Sequence, residues 1–166
     1  PVAIGRRQRK IQFSGCYFHA HERHTLPLVT LVEAYEIAFV GTQMLSWNDG
    51  GAVMQIGSSD AVYPAGITLI SHCVFGGKPG SDTVGIRVVN ADTNGPCLSV
   101  FGNAFGSQDR RLAHAVDWGS QEGKSAAWGA NAVYVRDEPH IGVRPAQADE
   151  LPFPERENSP RVSPGG

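Results

Sequence analysis

Asp49, Asp82 and Asp109 sit in loop-like stretches about thirty residues apart. Carboxylates held roughly 5–10 Å from one another can act as general acid and base on a glycosidic bond. Arg110 and Arg111 follow Asp109 directly, and neighbouring guanidinium groups can clamp the carboxylate of an acidic sugar. Trp47, Asn48 and Tyr63 offer the rest of a sugar site: flat rings that stack on a pyranose, and an amide that bonds its hydroxyls. Trp118 is a further ring, at the end of a strand-like stretch where it could equally fill a core. Asp beside Gly, as at Asp49-Gly50, is also a common turn former. The catalytic use of the three aspartates is an expectation that requires them to converge.

His19, His21 and His24 fall in the run HAHERH. On a strand His19 and His21 share a face, and Glu22 or His24 would have to fold back to complete a metal site. The run is not H-E-x-x-H, because Thr25 stands where the second histidine belongs. The plainer reading is a solvated, hydrogen-bonded loop, and no metal or other cofactor is expected. Cys16, Cys73 and Cys97 are too few for a disulfide framework, and none lies in a C-x-x-C pair. They are expected to be small core residues. His72 adjoins Cys73, but neighbours on a strand point to opposite faces, so they do not form a nucleophile and its base.

These groups need a scaffold, and composition narrows the choice. The 166 residues suit one domain, and 41% are hydrophobic, enough for a core. Charged residues are only 18%, and Gly and Pro number 20 and 11. Frequent turns and few long helices follow. The net charge of −2 gives no general attraction to nucleic acid. No apolar run approaches the 18 residues or so of a membrane span. The chain opens at Pro1 without a signal-like run, which reads as a processed product or a fragment. Arg6, Arg7, Arg9 and Lys10 make a basic lead-in over residues 1–10, either an anion-binding arm or a solvated start. Residues 145–166 are rich in Pro and acids and read as an extended arm that lies against a surface, such as a neighbouring subunit.

Between these ends, over 11–144, one pattern recurs. It runs apolar, spacer, apolar, two spacers, small or polar, spacer, apolar. The copies are Ile11–Phe13–Cys16–Phe18, Ile37–Phe39–Thr42–Met44, Thr68–Ile70–Cys73–Phe75, Leu98–Val100–Asn103–Phe105 and Trp128–Ala130–Val133–Val135, at steps of 26, 31, 30 and 30. Each of the first four is followed by a second strand-like stretch: 28–33, 52–57, 83–89 and 113–118. The extra spacer would flip the side-chain face of a straight strand. A bend there keeps both apolar sets inward. Gly15, Gly41 and Gly102 precede the small or polar position in three copies, and Asn103 also tolerates a left-handed corner.

The segments VFGNAFG at 100–106 and ISHCVFGG at 70–77, at coil-like spacing, resemble the right-handed parallel β-helix, the pectin-lyase-like fold. The resemblance covers residues 11 to about 135. It implies an all-β chain of about five coils with an extended Pro-rich C-terminal arm. Cys16, Thr42, Cys73, Asn103 and Val133 should form one ladder, and Phe18, Met44, Phe75 and Phe105 another. An antiparallel sandwich is the alternative, but only Asn94-Gly95 reads as a hairpin turn. Loops at 19–27, 46–51, 75–83, 107–112 and 136–140 would leave one edge of the stack, bringing Asp49, Asp82 and Asp109 near one another.

The resemblance extends to phage tailspikes and fibres. It implies a virion or extracellular module, a homo-oligomer and most simply a trimer, that contacts a host surface polysaccharide through its loops. The alternatives are a secreted polysaccharide lyase or glycoside hydrolase, and a purely structural assembly protein. The Asp-Asp pair and Gly-His-Gly of polygalacturonases are absent, as are the acidic Ca²⁺ cluster and Arg-Asp arrangement of pectate lyases.

Overall fold

The computed structural model describes residues 1–5, 7–21, 26–47, 50–91, 98–107, 110–119, 125–134 and 144–145. Every element among them is a strand, and every strand pairing is parallel. The chain is a parallel β-solenoid. Its first coil holds β1 (Val2–Ile4), β2 (Arg9–Ser14) and β3 (Tyr17–Ala20). The second holds β4 (Val29–Leu31), β5 (Tyr35–Val40) and β6 (Gln43–Ser46). The third holds β7 (Ala52–Ile56), β8 (Thr68–Ser71) and β9 (Val74–Gly76). The fourth holds β10 (Val84–Val88), β11 (Leu98–Phe101) and β12 (Ala104–Phe105). The fifth holds β13 (Val116–Asp117), β14 (Ser125–Gly129) and β15 (Ala132–Val133), and β16 (Arg144–Pro145) follows. About four full turns separate β1 from β13 in the first sheet, β1-β4-β7-β10-β13.

Three sheets enclose the core, one more strand per coil than the sequence pattern shows. The expected bend inside one strand is a complete break. β2 and β3, β5 and β6, and their successors belong to different sheets. The break falls on a column of left-handed residues: Gly15, Gly41, His72, Gly102 and Ala130, with φ of 62°, 58°, 55°, 65° and 52°. Asn103 is not among the positive-φ residues, so its expected role as a corner conformer is corrected. The basic lead-in supplies β1 to the first sheet, where Val2 pairs with Val29 and Ile4 with Leu31.

Inward positions pile up in columns. Phe18 pairs with Met44, Met44 with Phe75, and Phe75 with Phe105, as expected. Phe105 then pairs with Val133. The fifth copy is therefore Ala126–Trp128–Asn131–Val133, two residues earlier than the pattern indicated, because Leu98 pairs with Ala126 and Val100 with Trp128. Val133 leaves the polar ladder and Asn131 takes its place. Aromatic rings stack along the columns, Phe13 on Phe39 at 5.0 Å and Phe75 on Phe105 at 4.7 Å between centroids, while Trp128 of the neighbouring column stacks on Phe105 at 5.4 Å. The two in-column separations follow the interstrand spacing of about 4.8 Å.

The polar ladder has a single job. Thr42 Oγ1 donates to the carbonyl of Phe13, Cys73 Sγ to that of Phe39, Asn103 Nδ2 to that of Ile70, and Asn131 Nδ2 to that of Val100. Each reaches the same position in the coil before it. The asparagines also accept: Cys73 N–H donates to Asn103 Oδ1 at 2.8 Å, and Asn103 N–H to Asn131 Oδ1 at 3.0 Å. Backbone groups freed at each corner thus stay bonded inside the stack.

Candidate functional site

Two surface clusters follow from this stacking. The first lies where the third sheet leads back to the first. Trp47 follows β6, and its Nε1–H donates to His19 Nε2 on β3 at 2.8 Å. The Arg110 guanidinium, from the loop after β12, lies 5.0 Å from the centre of the indole ring. The His19 and His21 rings stand 4.2 Å apart, so they share a face as the strand alternation requires. Because His19 Nε2 accepts the indole proton, the ring is neutral with its own proton on Nδ1. Burial, then the charges of His21 and Arg110, hold the His19 pKa below its ordinary value.

The expected loop edge thus brings Trp47 and Arg110 together. Arg111 is exposed beside them in sequence, and Asp82 is exposed in the turn before β10. Asn48, Asp49, Asp109 and His24 lie outside the described residues. Among the described residues no three His, Cys, Asp or Glu side chains gather as metal ligands. Trp118 is 1% exposed and belongs to the core, which corrects its candidacy as a sugar platform. Cys73 is buried and unbridged, bonded to backbone carbonyls, as a small core residue should be.

The second cluster lies where the first sheet leads into the second. Here Tyr63 is found, away from Arg110 and Arg111. Arg7, Arg9, Glu33, Tyr35 and Tyr63 line a cleft of about 360 Å³. Register builds it. Arg9 pairs with Tyr35 at the start of β2 and β5, and Arg7 N–H donates to the Glu33 carbonyl at 3.0 Å. The third coil supplies Tyr63 from the β7–β8 connection. The Tyr35 ring lies over Gly66, where a Cβ would come within 2.1 Å of it, so glycine is what makes room for the ring.

Glu33 holds the cleft together. It is 2% exposed, and its Oε1 accepts the Val62 N–H at 2.8 Å and the Tyr63 N–H at 3.4 Å. The Arg7 guanidinium lies 5.7 Å from the Tyr63 ring centre, and that of Arg9 5.2 Å from Tyr35. Such cation–π contacts fix a guanidinium against a ring while its in-plane N–H groups stay available.

The sequence pointed to Tyr63 and to the basic lead-in separately; Glu33 and Tyr35 were missed. The signal was present in the first repeat step. Adding 26 to Arg7 and Arg9 gives Glu33 and Tyr35. No protein-family model matches the chain, and no curated protein or solved structure is significantly similar to it.

Proposed function

We propose that this solenoid is a rigid binding module that contacts a surface polysaccharide without cleaving it, as a receptor-binding part of a virion-type fibre or spike. One observation carries the reading: ring and guanidinium are paired on the surface three times, as Arg7–Tyr63, Arg9–Tyr35 and Arg110–Trp47. A flat ring gives a pyranose its apolar contact, and a guanidinium gives directed bonds to hydroxyls and acids. A stack of parallel coils gives these pairs a rigid frame. Assembly as a homotrimer belongs to the same proposal. It is supported by the first coil, where Ile11, Phe13 and Phe18 are only partly buried although they continue fully buried columns.

The test is binding of the whole chain to a panel of bacterial and plant polysaccharides by surface plasmon resonance. Trp47→Ala and Tyr63→Ala should each weaken the best binder by about tenfold, near 1.4 kcal/mol, with unchanged circular dichroism. Product chain length should not change on prolonged incubation. Absence of binding across the panel, or ring variants that bind like the parent, would overturn the reading.

A further inference from the structure

The cleft at the first corner has a chemistry narrower than general sugar contact. Its 360 Å³ lies within the range of small-ligand sites and suits a unit rather than a chain. Two guanidinium groups face one carboxylate, so the lining carries a net positive charge of one unit. The carboxylate is the unusual part. Glu33 is buried, and its Oε1 is spent on two backbone N–H groups. No hydrogen bond occupies Oε2 among the described residues. Oε2 is not among the buried polar atoms left without a partner, so it still meets solvent and can accept from a donor on a ligand. A simple anion without a hydroxyl supplies none. A neutral sugar would satisfy Glu33 but leave the two guanidinium groups without an acid partner. A ligand with both an acid group and hydroxyls satisfies each.

We infer that the cleft of Arg7, Arg9, Glu33, Tyr35 and Tyr63 binds a sugar unit bearing a single acid group, carboxylate or phosphate monoester, with a hydroxyl donating to Glu33. This rests on the polysaccharide reading and names the unit recognised at one of its sites. The acid group takes the in-plane N–H donors of Arg7 and Arg9. The ring of the sugar lies against Tyr63, which is 48% exposed and so available to it.

The experiment is isothermal titration of the full chain with methyl glucuronide, glucose 6-phosphate, methyl glucoside, inorganic phosphate and a short single-stranded RNA. At least one acidic sugar should bind about tenfold or more tightly than methyl glucoside and than inorganic phosphate, and more weakly as salt rises. In the double variant Arg7→Gln, Arg9→Gln that preference should vanish. Glu33→Gln retains an oxygen for the Val62 and Tyr63 N–H groups, so the fold should hold. It should lower acidic-sugar affinity while leaving or raising that for inorganic phosphate.

Equal affinity for acidic and neutral sugars would overturn the inference. So would inorganic phosphate or RNA binding as tightly as the acidic sugar, or arginine variants without effect. If polysaccharide binding survives in the double variant while the acidic preference was never present, only this inference fails. If no polysaccharide binds at all, the broader reading fails first.

Discussion

At the scale of single residues, His19 shows how neighbours set a protonation state. Its Nε2 can accept the Trp47 N–H only while the ring is neutral. Protonation puts two donors face to face and adds a positive charge beside His21 and Arg110. Burial and those two charges keep the folded pKa below the ordinary 6.5. The cluster is therefore intact above that value and comes apart as pH falls through the lowered one. The Trp47 indole ¹H–¹⁵N resonance should shift on acidification with a midpoint below 6.5, and Arg110→Gln should move the midpoint upward. A midpoint at or above 6.5 in the parent chain would contradict this account. None of this was legible in HAHERH alone. The strand alternation put His19 and His21 on one face, but their partners come from residues 28 and more positions away.

At the scale of the element, the corner between the second and third sheets is made from two adjacent positions with different duties. The first is left-handed and prefers glycine; the second returns a side chain to the preceding coil. The pattern exposed the first duty at Gly15, Gly41 and Gly102 and hid it at His72 and Ala130, where an ordinary residue accepts the strain. The second duty was visible only as "small or polar", because Thr, Cys and Asn share a short donor and little else. The two costs should differ. Gly41→Ala adds a Cβ with nothing within 4 Å, so only backbone strain of about 1–2 kcal/mol applies. Asn103→Ala strips partners from the buried Cys73 N–H and the Ile70 carbonyl, costing roughly 2–4 kcal/mol. Urea unfolding of both variants checks the order, and an Asn103→Ala cost no larger than that of Gly41→Ala would remove the ladder's role.

At the scale of the whole molecule, the backbone pairing of each coil is with its neighbours alone, so core stability is close to a sum along one axis. The period was legible because every coil must return the same columns inward. The exact return was not, since loop lengths vary: the last step is 28 residues, from Leu98 to Ala126, not 30. Trp128 and Trp118 misled for related reasons. A large ring scores as apolar wherever it lies, and only pairing tells column from surface. The axial sum also ranks core substitutions. Phe75 is wholly buried and stacked on Phe105, with a coil on either side. Phe13 stacks on Phe39 but has a coil on one side only and is partly exposed. Removing a buried phenyl costs about 3–5 kcal/mol where neighbours cannot collapse. Phe75→Ala should therefore lose close to that, and Phe13→Ala about half, because part of its face already meets water and the end can relax. Guanidinium unfolding gives the two values, and amide exchange should show protection falling from β8 and β9 towards β2 and β3. Equal losses, with protection uniform from the first coil to the third, would mean that the first coil is covered as fully as the middle one. A cover supplied by the proposed assembly would be lost on dilution, which should then restore the difference.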